Sequence, residues 1–274
     1  MTKQKLLILS FLLAISTTMA AQKVFELPLW PDGTPNRNGL PSDTAKVRVY
    51  LPNEQIATGR AIVIFPGGAY STLNIEHEGN HWAEFFNNLG IAAIVVKYRM
   101  PNGNEEVPVS DAEEAMRLVR RNAPKWHIRS DYVGVMGSGT GGHLAAILST
   151  QAQKSAKPDF QILYYPVITM LPEYAHHEAH DNFFGKNSRK KLEQKYSADM
   201  HVTRLTPRAF IVLCDDDAVV QPANGLNYYT ELYRHDVPAS LHIYPDGGHG
   251  WGAKVGFKYH LEMIMELKAW LKSF

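Results

Sequence analysis

The sequence predicts an α/β fold, a mostly parallel sheet with helices on both faces, and three observations predict it. Short apolar runs recur along the chain, at 61–68, 91–98, 132–137, 160–166, 209–215 and 240–245. Segments with helical spacing separate most of them. Two of the runs, AIVIFPGG and IAAIVVKY, are continuously apolar, as strands buried on both faces are. Strands alternating with helices build parallel sheets whose chemistry collects at the carboxyl ends of the strands.

The elements follow in order. Lys3 and Lys5 precede the apolar run Leu6–Ile15, and Thr18-Met19-Ala20 offers a small-x-small cleavage site. Residues 1–20 therefore read as a signal peptide, cleaved after Ala20, for export to the periplasm or beyond. The run is shorter than the roughly 20 residues that a membrane span needs. Residues 21–274 read as one catalytic-size domain. Its start, 25–43, is rich in Pro, Gly and Asn and reads as an extended lead-in. AKVRVYLP (45–52) alternates like a strand, and HWAEFFNNLG (81–90) has helical spacing with Gly90 as its C-cap. A helix over 110–122 is expected to start at Ser110, with acids in its first turn and Arg in its last. Residues about 168–207 are polar and His-rich, with one helical stretch at 188–197, and read as a lid insertion. Helices at 224–235 and 260–274 complete the alternation.

With 274 residues, 45% of them hydrophobic, the chain can bury one sizeable core. A net charge of +1 with no basic, aromatic-laced run excludes a nucleic-acid partner. Cys214 is the only cysteine, so no intramolecular disulfide can form, and its apolar run marks it as a core residue.

The stretch VGVMGSGTGGHLAA (133–146) runs from an apolar strand through a glycine-dense turn into a helix, as a nucleophile elbow does. Such a turn needs small residues two before and two after the nucleophile. Position 139 satisfies this with Gly137 and Gly141; Ser138 would place the bulky Met136; Thr140, between Ser138 and Gly142, is sterically possible but would lengthen the strand by one residue and use a poor nucleophile type. Residue 139 is itself Gly, which tolerates the strained corner but carries no attacking oxygen. A dinucleotide loop is the rival reading, but no acid follows about 20 residues on. Two more strand ends carry polar groups: LCDDDAVVQP, where Asp217 is the candidate acid with Asp215 and Asp216 as neighbours, and YPDGGHGWG, where His249 sits in a flexible loop. FPGGAY (65–70) could supply N–H groups from Gly68 and Ala69, with Thr140, for an oxyanion hole. Tyr70 and Trp251 are candidate aromatic walls for a sugar, or packing residues. Glu76 and Glu78 read as groups that cap or orient the next helix, and His143 as structural. The cluster His176, His177, Glu178, His180 and Asp181 lacks metal-motif spacing and reads as solvated surface.

LWPDG, AIVIFPGGAY followed by HEG, MGSGTGGHLAA, YYPVITM, Asn182-Phe183-Phe184-Gly185, CDDDAVVQPANG and YPDGGHGWG together resemble the secreted acetyl xylan esterase-like branch of the α/β-hydrolases. The chain order of nucleophile position, acid and His is also theirs. The resemblance implies a nucleophile site at Gly139, where the family pattern has Ser, with Asp217 as acid and His249 as base. Ala69 stands where the pattern has a third Gly. It further implies an acetylated oligo- or polysaccharide substrate and no metal or organic cofactor. With Gly139 in place, the chain is expected to be severely impaired as an esterase; the alternative is a non-catalytic relative that binds a carbohydrate or acyl ligand.

Overall fold

A computed structural model describes residues 22–186 and 188–274, so the segment 1–20 lies outside the described residues. Eight strands form one sheet: β1 (Lys23–Pro28), β2 (Lys46–Leu51), β3 (Ala61–Phe65), β4 (Ala92–Lys97), β5 (Val133–Ser138), β6 (Gln161–Tyr164), β7 (Ala209–Cys214) and β8 (Ala239–Tyr244). Their order is β1-β2-β4-β3-β5-β6-β7-β8. β1, β2 and β4 pair antiparallel; every later pairing is parallel. The helices are α1 (His81–Asn88), α2 (Glu106–Asn122), α3 (Thr140–Gln151), α4 (His177–Phe184), α5 (Lys190–Lys195), α6 (Ala223–Arg234) and α7 (His260–Leu271).

The alternation of side chains across the sheet divides the core in two. Ala61, Val63 and Phe65 of β3 face one layer with Val119 of α2, Leu144 of α3 and Tyr228 of α6. Ile62 and Ile64 face the other with Trp82 and Phe86 of α1 and Met263 and Leu267 of α7. β3, β5, β6 and β7 are buried at every residue. That is why their sequences are almost wholly apolar, Ser138 and Gln161 excepted: both faces are covered.

The structure departs from the sequence reading in three places. The lead-in contains strand β1, an edge strand whose half-exposed residues give no clean alternation. Helix α2 begins at Glu106, not Ser110, because Pro108 is tolerated in a first turn where no N–H is needed. Ser110 Oγ instead donates back to the Val107 carbonyl at 2.9 Å. The segment between β6 and β7 holds two helices and a 3₁₀ turn (Ala198–His201) rather than one helix. It buries Ile168, Met170, Phe183 and Tyr196 in the first core layer. Those apolar residues are scattered among His and acids, so local polarity hid them. Among the described residues no helix is long and apolar enough to cross a membrane. Cys214 is buried, and burial pushes its thiol up to about 12.

Candidate active site

β5 and α3 meet at Gly139, whose backbone sits at φ 51°, ψ −117°. This is the left-handed corner of an elbow, where glycine is least strained. A Cβ on Gly137 would lie 2.1 Å from the Gly141 carbonyl oxygen, and one on Gly141 would lie 1.9 Å from that of Phe65. The two flanking glycines are therefore a steric demand of the turn. Ser138 is fully buried, so it offers no hydroxyl to a ligand.

Asp217 and His249 meet beside this corner. His249 Nδ1 lies 2.7 Å from Asp217 Oδ2. Asp217 Oδ1 accepts from the N–H groups of Val219 and Val220, both at 2.9 Å, which locks the carboxylate in place. Of its neighbours, Asp216 accepts from Gly247 and Gly248 in the His249 loop, and Asp215 is exposed. Two carboxylates thus hold one loop, one at its backbone and one at its imidazole. A His whose Nδ1–H donates to a carboxylate keeps Nε2 as the free base. A Cβ on residue 139 would stand 3.3 Å from that Nε2.

The loop after β3 supplies the third side. Ala69 and Tyr70 both have positive φ, 54° and 57°, and Gly68 is at 140°. The carbonyls of this turn are tied. Gly68 O accepts from the N–H groups of Ser71 and Thr72, and Ala69 O accepts from Asn182 Nδ2 at 2.8 Å. Gly67 N–H donates to Glu78 Oε2 at 2.7 Å. The N–H groups of Gly68, Ala69 and Thr140 make no hydrogen bond among the described residues. All three residues line one cavity of 290 Å³ together with Gly139 and His249. Unpaired N–H groups at a helix start and a strained turn are suited to an anionic oxygen.

Glu78 is the residue the sequence reading missed. The sequence reading gave it only the role of capping or orienting the next helix, and its carboxylate instead spans two loops. Its carboxylate is 2% exposed, and its other oxygen accepts from Tyr165 OH at 2.8 Å. Tyr165 OH in turn accepts from Gly252 N–H at 2.8 Å, and the Tyr165 ring lies 4.5 Å from the His249 ring centroid. Burial, then the adjacent Glu78 charge, pushes the Tyr165 phenol well above its usual range, so it stays a donor. This bridge joins the loop after β3 to the His249 loop. Its partners are 11 and 87 residues from Glu78 in sequence, so no local pattern reveals them.

Neither aromatic candidate for substrate binding borders this cavity. Tyr70 is buried, packed 4.7 Å from Phe183, with its OH 2.8 Å from His143 Nδ1. Trp251 is buried and stacks on Phe257 at 4.0 Å. Both positions lie beside functional loops but turn inward, because the core offers aromatic partners. The fully buried His143 is structural: its Nε2 lies 2.7 Å from the Tyr196 carbonyl, and burial lowers its pKa to about 4. His176 and Glu178, read as solvated surface, border the cavity instead. His176 caps α4 by accepting from Ala179 N–H at 3.0 Å, and burial, then the nearby His249, lowers its pKa. His180 turns away to Glu193, 3.0 Å distant. No group of three His, Cys, Asp or Glu among the described residues is arranged to hold a metal ion.

Comparison with known proteins bears on this geometry. Residues 62–253 match the α/β-hydrolase fold family. An acetylxylan esterase of Xylanibacter ruminicola is 40% identical over 273 residues, 97% of this chain and 54% of that protein. An endo-1,4-β-xylanase B of Butyrivibrio fibrisolvens is 28% identical over 243 residues, 83% of this chain and 38% of that protein. The chain thus spans about half, or less, of the length of these curated relatives. The crystal structure of an acetyl ester-xyloside bifunctional hydrolase from Caldicellulosiruptor lactoaceticus superposes with a TM-score of 0.81 at 30% identity. That match covers 91% of this chain and 96% of the other. A family match over most of the chain and homology along nearly all of it converge: this chain belongs to the α/β-hydrolases, on their acetylxylan esterase-like branch.

Proposed function

We propose that the cleft is a carbohydrate esterase site, shaped for O-acetyl groups on xylan-type or other plant saccharides, and that position 139 is its nucleophile position. One observation carries this reading: His249 Nε2, backed by Asp217, points at the place where a side chain on residue 139 would begin. The acetylxylan esterase and acetyl ester-xyloside hydrolase relatives support the substrate class. So does the lining, where Ser71, Thr72 and Asn74 face His176 and Glu178 with groups suited to sugar hydroxyls.

In a serine hydrolase of this design the hydroxyl attacks the acetyl carbonyl, the His takes its proton, and the acid fixes the His tautomer. N–H groups of Gly68, Ala69 and Thr140 would hold the oxyanion. Gly139 removes the covalent route. In another serine hydrolase, loss of the nucleophile costs about 10⁶ in kcat, leaving roughly 10³–10⁴ over water. Gly139→Ser is expected to raise turnover of aryl acetates at least ~10³-fold and to release acetate from acetylated xylan. A folded Gly139→Ser protein that stays inert on both substrates refutes this reading. The second reading is a saccharide- or acyl-binding protein without turnover. Gly139 favours it, and saturable binding of xylo-oligosaccharides with an inert Gly139→Ser variant would establish it.

Export through residues 1–20 belongs to the same proposal. Mass spectrometry of the mature protein should find Ala21 at the N-terminus; an intact Met1 in the secreting host would refute it.

A further inference from the structure

We infer that the chain, as it stands with Gly139, hydrolyses acetyl esters in one step, with solvent water as the nucleophile and His249 as its general base. The inference rests on the reading of the cleft as an esterase site, and it concerns what that site does without a serine. Three observations carry it.

First, the space that a side chain on residue 139 would fill is open except toward His249. Apart from residue 139 and its two chain neighbours, the atoms within 4 Å of a Cβ there are His249 Nε2 at 3.3 Å and Cε1 at 3.7 Å. A water needs little more room than a hydroxymethyl group. Second, no side-chain oxygen competes for the base. His249 Nε2 has no hydrogen-bond partner among the described residues, and neither the Ser138 nor the Thr140 hydroxyl pairs with it. Its proton donor must come from solvent or from a ligand. Third, the parts that do not depend on a serine are assembled: Asp217 holds His249, and Gly68, Ala69 and Thr140 present unpaired N–H groups to the same cavity.

The step balances without any further reactant. The water oxygen bonds to the acetyl carbonyl carbon while one of its protons passes to His249 Nε2. The carbonyl electron pair moves onto oxygen, facing the three N–H groups. Collapse breaks the bond to the saccharide oxygen, which takes the proton back from His249. Acetic acid, which then releases its proton to solvent as acetate, and a free hydroxyl leave, and no acyl-enzyme forms. General-base assistance of this kind contributes about 10²–10⁴-fold. A glycine permits what an alanine would obstruct, since a methyl group would occupy the water's place.

The test uses 4-nitrophenyl acetate with the unaltered chain, His249→Ala, Gly139→Ala and Gly139→Ser, all with verified folding. The unaltered chain should turn over above buffer, with no fluorophosphonate label and no acetyl-enzyme on rapid-quench mass spectrometry. His249→Ala should lose ~10²-fold or more of that rate. Gly139→Ala should fall by at least about tenfold through exclusion of water; where its strained backbone prevents folding, His249→Asn replaces it as the second variant and should match His249→Ala. Gly139→Ser should label and accumulate acetyl-enzyme at position 139. A rate indifferent to His249, or an acetyl group trapped on the unaltered chain, overturns the inference. If only Gly139→Ser turns over above buffer, the inference fails while the esterase reading stands. If no variant turns over, both fail.

Discussion

Of the described histidines with a carboxylate on Nδ1, His242 and His249 make the instructive pair, and only His249 borders the cleft. At the sheet's edge, Ser240 Oγ lies 2.9 Å from His242 Nε2, and His242 Nδ1 lies 3.0 Å from Glu266 Oε2. Tyr244 OH also donates to that carboxylate at 2.6 Å. Serine, histidine and acid are all there. Yet Ser240 lies in strand β8, on an ordinary backbone without the positive φ of an elbow, and Glu266 is partly exposed. At the cleft the reverse holds. Residue 139 carries no hydroxyl, but His249 faces a strained turn, a helix start and unpaired N–H groups around a cavity. The comparison teaches that three side chains in hydrogen-bond sequence do not make a hydrolytic site. The surrounding backbone decides, and on the proposed reading the cleft has that backbone while residue 139 carries no hydroxyl.

The sharpest way to break this comparison is to exchange the acids in the Gly139→Ser background. Asp217→Asn should lower kcat about 10⁴-fold by reversing the His tautomer, whereas Glu266→Gln should leave kinetics unchanged. Equal effects on aryl acetate turnover would mean that the edge cluster takes part. Next in size is Glu78→Gln in the same background. It keeps the shape but weakens the hold on Gly67 N–H, so kcat should fall about tenfold, less than the ~10²–10³ lost with an oxyanion donor. KM should barely move; a pure KM effect would contradict a positioning role.

A third histidine provides a stability contrast. His143 is buried neutral, with a pKa lowered to about 4 from an unfolded value near 6.5. The unfolded chain therefore binds a proton that the folded chain refuses between those values, and stability falls as pH drops through that window. The contribution lost between pH 6.5 and 5 is about 1.5 kcal/mol. Urea melts of the unaltered chain and His143→Gln should show this slope shrinking in the variant; an unchanged slope would assign it elsewhere. The smallest effect is expected at Ser240→Ala: turnover within about twofold and no loss of fluorophosphonate label from the Gly139→Ser variant. A label that follows Ser240 would overturn the comparison outright.

The sequence made some of this legible and hid the rest for identifiable reasons. The tight strand-to-helix corner was readable because part of its constraint is local: a Cβ on Gly137 would meet Gly141 four residues on, although the crowding at Gly141 comes from the distant Phe65. Strands buried on both faces announce themselves by unbroken apolar runs. The choice among Asp215, Asp216 and Asp217 was not readable, since it depends on which carboxylate the N–H groups of Val219 and Val220 capture. Tyr70 and Trp251 show the limit of proximity arguments. A residue beside a functional loop can point either way, and aromatic partners inside the core decided both. Strand β1 escaped because its only sheet neighbour is β2 and its residues are half exposed.

The Glu78–Tyr165 bridge has a consequence for inheritance as much as for chemistry. It couples the two loops that frame the cleft through side chains and N–H groups of residues other than 139. Selection on the cleft's shape can therefore act independently of selection on bond cleavage. A lineage that needed only saccharide recognition could relax position 139 and keep everything else. On the proposed reading, a serine at position 139 would then be a short step away, because glycine and serine codons can differ by a single base.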